Sequence, residues 1–297
     1  MAMTLSGSVM SSTHVCGTAS LRRAASLRRA ALTPRSASGV VGRRSVATNA
    51  IAVFGATGLT GRECTWQLLE KGVGVVALCR DPARLCKPKG SCGLAEDAGC
   101  VPIEGGDKLV ALQGDVTRLE DVQQVFSQAG QPIEGVIVSL GGKTKDVGAT
   151  MLADGTRNVI QAAKAAGVKR VTVVTSIGAG DSKDQAPFFF KVLMGTVMKS
   201  IFDDKNNQEA LFLPGGPGND LEWCIVRPGG LTVDAPTGVI NVIEGEAGSI
   251  PRADVASFCI GAVLDADFPY LRQAPCISST GGTSWTKDRS AAARGGA

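Results

Sequence analysis

A short apolar run, Ile51-Ala-Val-Phe54, passes directly into Gly55-Ala-Thr-Gly58-Leu-Thr-Gly61-Arg62, and a helical stretch follows through Leu68 and Leu69. This junction constrains the chain more than any other feature. Glycines at these intervals permit a tight turn, a close approach of backbone to a ligand, and close packing of helix on strand. The first helical turn then offers unpaired amides and the positive end of its dipole to a diphosphate. Beyond it, short β-branched runs alternate with helical stretches. Strands are predicted at 51–54, 73–79, 109–113, 135–139, 170–175, 222–227 and 274–278, and helices at 59–71, 118–129, 149–166, 189–212 and 252–265. That alternation predicts a parallel sheet with crossover helices. A glycine turn at the first strand-to-helix junction of such a chain predicts dinucleotide binding.

The neighbouring junctions supply the other candidate contacts. Gly55, Thr57, Gly58, Leu59, Thr60 and Gly61 would cradle the pyrophosphate. At the end of the second strand the chain reads Ala77-Leu-Cys-Arg80-Asp81-Pro82, with an arginine where an NAD site would place a carboxylate. Arg80, with Arg62 near the same end, suits a 2′-phosphate and so implies NADP(H). The competing reading pairs Arg80 with Asp81 in a solvated turn. Asp115 and Val116, after the third strand, would approach the adenine. Ser139, Leu140 and Gly141, after the fourth, would pass beside the nicotinamide ribose.

Charge and histidine content exclude much other chemistry. Seven arginines and the only histidine, His14, fall in residues 1–49, which hold no Asp or Glu. The remaining 24 Lys+Arg against 27 Asp+Glu make residues 50–297 slightly acidic, with no electrostatic ground for binding nucleic acid or anionic lipid. Without histidine, that body has no Ser-His-Asp or Cys-His nucleophile and no histidine-containing metal site; no metal is expected. The leader is rich in Ser, Thr, Ala and Arg and repeats Leu21-Arg-Arg-Ala-Ala-Ser26 as Leu27-Arg-Arg-Ala-Ala31. This is transit-peptide composition, and the Ser/Thr-rich start favours a chloroplast over a mitochondrion. A disordered basic tail that stays attached is the alternative. The expected location is the stroma, or its boundary with thylakoid or envelope.

Cys86, Cys92 and Cys100 cluster in a Gly- and Pro-rich stretch, 85–107, which reads as an exposed insertion. Free thiols are expected there, with a redox-sensitive disulfide as the sharper reading. The apolar segment Phe188 to Met198, broken by Lys191, is too short to span a membrane. It reads as a lid or core helix, or as a docking surface. Residues 281–297 read as a disordered tail.

Seven segments carry a family resemblance: 55–62, 77–82, 113–117, 158–170, 174–180, 226–231 and 251–256. Together they resemble the atypical short-chain dehydrogenase/reductases of the NmrA-like NAD(P)-binding type, including plastid members. The resemblance implies a Rossmann-type doubly wound parallel α/β sheet over 50–280, a single domain with a small C-terminal substrate lobe. It also implies roles for Ser176 and Lys205, since standard members use Ser, Tyr and Lys, with the Tyr four positions before the Lys. Here that position is Ile201, and the single tyrosine, Tyr270, matches no motif. Lys205 is retained, with Glu209 four residues on. Asp203 and Asp204 read as surface charges. Isoleucine cannot exchange a proton. Two readings follow: an NADPH-dependent reductase of a conjugated or flavin-like small-molecule acceptor, protonated by solvent, or a non-catalytic NADPH-binding scaffold or redox sensor for a plastid protein partner.

Fused ahead of a fluorescent protein, residues 1–49 are expected to deliver it to plastids; a cytosolic or purely mitochondrial signal counts against the transit peptide.

Overall fold

The computed structural model describes residues 49–95, 98–142, 148–186, 188–245, 248–279 and 283–284, so that all but Asn49 of the expected leader, and residues 285–297 of the expected tail, lie outside the described residues. Strands β1 (Ala50–Phe54), β2 (Gly74–Cys79), β3 (Leu109–Gln113), β4 (Ile133–Val138), β5 (Arg170–Val174) and β6 (Glu222–Pro228) are the predicted parallel set. They pair in the order β3-β2-β1-β4-β5-β6 and continue through β10 (Cys276–Ser278), also parallel to β6. Strand β8 (Asn241–Ile243) and β11 (Thr283–Ser284) extend this edge antiparallel. Strand β1 is buried throughout, as expected of a strand covered on both faces, and therefore reads as a continuous apolar run without alternation.

Each face buries one half of the side chains. On one side Ile51, Val53 and Val75 meet Leu68 of α1 (Leu59–Glu70) and Phe258 of α7 (Arg252–Leu264). On the other, Ala52, Phe54 and Val136 meet Val125 of α3 (Leu119–Ser127) and Val159 and Ile160 of α4 (Met151–Ala165). Burial of each such aliphatic side chain stabilises the fold by about 1.5–3 kcal/mol. Strand order reverses between β1 and β4, so the connections leaving their carboxyl ends run to opposite sides and leave a crevice above the paired strands, the place where open α/β sheets bind ligands. A smaller lobe forms from β7 (Gly230–Thr232) paired with β9 (Ser249–Pro251), with Asp254 of α7 accepting bonds from Thr237 and Gly238 in the loop between them.

Four expectations are corrected. The predicted helix 189–212 is two helices, α5 (Phe188–Gly195) and α6 (Lys199–Ala210). Gly195 ends the first cheaply, and the Thr196 hydroxyl competes for the Val192 carbonyl at 2.9 Å, so the ladder breaks there. The insertion is not simply exposed: Leu85, Cys86 and Ile103 are buried, and its short helix α2 (Lys89–Cys92) is anchored by buried Glu63, which accepts from Ser91 N and Oγ. Nor are all its cysteines free, because Cys86 and Cys100 form a disulfide while Cys92 remains a thiol. Within the segment read as a tail, Thr283 and Ser284 pair with β8.

A bridge closing a loop of this size stabilises by about 3 kcal/mol in chain-entropy terms. In oxidised protein Cys100→Ser is expected to lower the unfolding free energy by about 2–3 kcal/mol, and dithiothreitol to erase the difference in urea melts. Equal melts without the reductant would mean that the bridge does not form.

Candidate functional site

The crevice at the switch point is a cleft of about 860 Å³. Its floor is the glycine loop. Gly55 has φ +83°, and a Cβ on it would lie 2.2 Å from the Ser139 carbonyl oxygen; one on Gly61 would lie 2.1 Å from Gly55 O. A side chain on Gly61 would push α1 off the sheet, and one on Gly55 would force apart the turns that follow β1 and β4. Helix α1 begins at Gly58 without a side-chain cap and without an acidic residue in its first turn. Its leading amides are thus left to a ligand, and Gly58, Leu59 and Thr60 line the cleft. The residues fit the pyrophosphate of a dinucleotide on this ground: the cradle exists only because Cβ atoms are missing from it.

At the adenosine end Arg80, Arg84, Asp115, Val116 and Thr117 line the cleft. Asp81 is not the partner of Arg80 in an ion pair; its carboxylate caps the next turn through Ala83 N at 3.1 Å. Arg62 does not line the cleft. Its guanidinium donates to the Arg84 carbonyl at 3.0 Å, so Arg84 lines the cleft and Arg62 props the turn behind it. The Asp115 carboxyl lies below the usual carboxylate range, chiefly because it accepts from Thr117 N, with the Thr117 hydroxyl, Arg80 and Arg118 adding to the effect against burial. Ser139, Leu140 and Gly141 form the wall between the two halves. Asn158 of α4 holds the Val116 carbonyl at 3.0 Å.

The inner end is lined by Met151, Leu152, Val174, Thr175, Met198, Ser200, Ile201, Asp204 and Lys205; Leu231 and Arg252 also line the cleft, Arg252 beside Leu59 at the start of α1. Lys205 donates to the Thr175 carbonyl at 2.9 Å. Desolvation lowers its pKa to about 8, against the raising influence of Glu209 and Asp204. Ser176, the predicted serine, is not part of the lining; its hydroxyl donates to Ile177 O at 3.0 Å, and Thr175 stands in the cleft instead. Ile201 does line it. Tyr270 does not, and packs instead in an aromatic cluster with Phe258 and Phe268, ring centroids 5.8 Å from each.

Helix α6 is fixed by buried polar groups that patterning does not reveal. Asp204, expected on the surface, is 3% exposed and accepts from Leu152 N and Ala153 N at 2.8 and 3.0 Å, capping α4 across the fold. Asp203 is an exposed charge paired with Lys199, as expected. Glu209 receives both Nε and Nη2 of buried Arg227, at 3.1 and 2.6 Å, and the Thr175 hydroxyl at 2.6 Å. Burial works to lower the Arg227 pKa, but bonding and charge from Glu209, then Asp181, hold it above its ordinary value. Arg84 and Arg252 were not named as site residues from sequence, although Arg252 lies in the segment 251–256, and Asp204 was read as a surface charge. Arg84 had a signal, a second arginine in the same turn; Asp204 had none, because its partners are amides some fifty residues away.

Comparison with known proteins agrees with this geometry. The model of a family described as NAD(P)H-binding matches residues 55–266. An uncharacterized chloroplastic protein of Arabidopsis thaliana is 31% identical over 241 residues, covering 76% of each chain. ChuY, an anaerobillin reductase of Escherichia coli O157:H7, superimposes with a TM-score of 0.57 and 26% identity over 78% of this chain and 97% of its own. A short-chain dehydrogenase/reductase (wide type) of Veillonella parvula DSM 2008, solved with NADP, shares the fold at a TM-score of 0.57 and 16% identity, over 80% of this chain and 98% of its own.

Because Lys205 is depressed in the fold, the unfolded chain holds its proton more tightly between about pH 8 and 10.5, and folding stability should rise with pH across that window. Relative to Lys205→Met, wild type is expected to gain stability from pH 8 to 10.5 in denaturant melts; a constant difference would mean a lysine with an ordinary pKa.

Proposed function

Since this chain belongs to the NAD(P)H-binding family, we propose that it is a plastid NADPH-dependent reductase that passes hydride to a conjugated or flavin-like acceptor without a tyrosine acid. One observation carries the reading: Ile201 lines the cleft beside Lys205, where standard short-chain enzymes have their acid, and the chain's tyrosine packs elsewhere. Bound NADPH supplies the hydride. The α1 amides hold the pyrophosphate, Arg80 and Arg84 the 2′-phosphate, and Lys205 the nicotinamide ribose. Met151, Leu152, Met198 and Ile201 keep water from the reacting face. A conjugated acceptor takes its charge into an extended π-system, so solvent can deliver the proton after hydride arrives, which a simple ketone does not allow. The anaerobillin reductase among the structural relatives supports an acceptor of this kind, and the chloroplastic relative supports the plastid.

The second reading, a nucleotide-binding scaffold or sensor, has its own observation in α5 and the turn after it, where Phe188 and Val197 are 74% and 81% exposed. Oxidation of NADPH with a panel of flavins, quinones and linear tetrapyrroles separates the two. The reductase reading expects turnover that Tyr270→Phe leaves unchanged. Each arginine–phosphate contact is worth about 1.5–3 kcal/mol, so Arg80→Ala should cut the preference for NADPH over NADH by about 10-fold or more. Stoichiometric NADPH binding with no turnover on any acceptor favours the scaffold, and loss of activity in Tyr270→Phe would refute the tyrosine-free mechanism.

A further inference from the structure

Arg252 begins α7 at the cleft wall formed by Leu59 and Leu231. Its Nη1 donates to the carbonyls of Leu231 and Thr232 at 3.3 and 3.0 Å, which fixes the guanidinium against the edge of the small lobe. Of the other arginines that the fold withdraws from water, Arg227 has Glu209 and Asp181 and Arg170 has Glu222, while Arg62, which lines the same side hollow as Arg252, has no carboxylate and donates to the Arg84 carbonyl. Among the described residues no carboxylate is within ion-pair distance of Arg252. Glu63, which shares a small side hollow with it, has both oxygens engaged by Ser91, and Asp254, two residues on, is taken up by Thr237 and Gly238. Burial lowers the Arg252 pKa, the direction expected of a partly desolvated cation without a counter-charge.

The remaining charges of this end are committed as well. Lys205 donates to Thr175, and Asp204 caps α4. What surrounds them is apolar, chiefly Met151, Leu152, Met198, Ile201 and Leu231. A cleft with apolar side chains at one end and an uncompensated guanidinium at its edge is complementary to a flat apolar ligand bearing an anionic group, and the planar fork of arginine suits a carboxylate. We propose that Arg252 receives a carboxylate of the acceptor, so that the substrates of this cleft are conjugated acids. The inference rests on the reductase reading for the word acceptor, but its binding term can be measured alone. A phosphate of the dinucleotide is the other source of an anion, and the α1 amides already serve it.

The test uses the full chain saturated with NADP⁺ and titrated with biliverdin, a linear tetrapyrrole dicarboxylate, or with its dimethyl ester, followed by tryptophan fluorescence. Wild type is expected to bind the diacid at least about 10-fold more tightly than the ester, the size of one charge-assisted contact. Arg252→Gln should lose about that factor for the diacid, leave the ester within about twofold, and leave NADP⁺ affinity within about twofold; Arg252→Lys should recover part of the loss. The proposal is overturned if wild type fails to bind the diacid or treats both forms alike, if Arg252→Gln weakens both equally as a lost clamp on β7 would, or if NADP⁺ affinity falls by the same factor. Charge-dependent binding without NADPH oxidation sinks the reductase reading and keeps the carboxylate site, whereas oxidation of diacid and ester with equal KM does the reverse.

Discussion

Gly55 rests on the Ser139 carbonyl at a distance that a single methyl group would abolish, and the position of everything above the sheet follows from that contact. It brings the ends of β1 and β4 together under the cleft and lets Gly61 pack on Gly55 from the helix side. Helix α1 therefore starts directly over the carboxyl end of the sheet with its first amides unpaired. The dinucleotide site is a by-product of close packing: the same missing side chains that let helix meet strand leave space and donors for a diphosphate.

A second constraint sits on the other half. Arg227 of β6 and Glu209 of α6 form a buried, two-pronged ion pair, and Thr175 and Asp181 complete it. Such a pair is weak as a source of stability, because its desolvation offsets much of its attraction, yet breaking it leaves a charge stranded in the core at about 3–5 kcal/mol. Its effect is to fix the rotation of α6 about its axis. With Glu209 held inward and Asp204 on the α4 amides, Lys205 is held to the Thr175 carbonyl and Ile201, one turn earlier, lines the cleft with it. On the reading proposed above, the position that presents a tyrosine in standard enzymes here presents an aliphatic side chain.

This substitution changes what the scaffold can do more than how it folds. A wall of Met151, Leu152, Met198 and Ile201 desolvates the inner cleft and offers no proton, while Lys205 and Arg252 are the cations that remain beside it. The chemistry suited to such a chamber needs orientation and exclusion of water, and draws its proton from elsewhere.

The sequence by itself determined the parallel sheet with its crossover helices, the glycine loop, Arg80 at the end of β2, and the loss of the tyrosine. These are local signals: a run of β-branched residues, a turn that only glycine permits, a spacing of four along one helix. Residues Asp204, Arg84 and Arg252, the break between α5 and α6, and the partial burial of the insertion behind Glu63 were decided by the tertiary structure alone. Arg62 shows why. Its place in the glycine motif is local and legible, but whether its guanidinium turns to the ligand or to the Arg84 carbonyl depends on a turn twenty-two residues away. Backbone conformation is set by each residue and its near neighbours, whereas the partner of a long charged side chain is set by whatever the fold brings beside it.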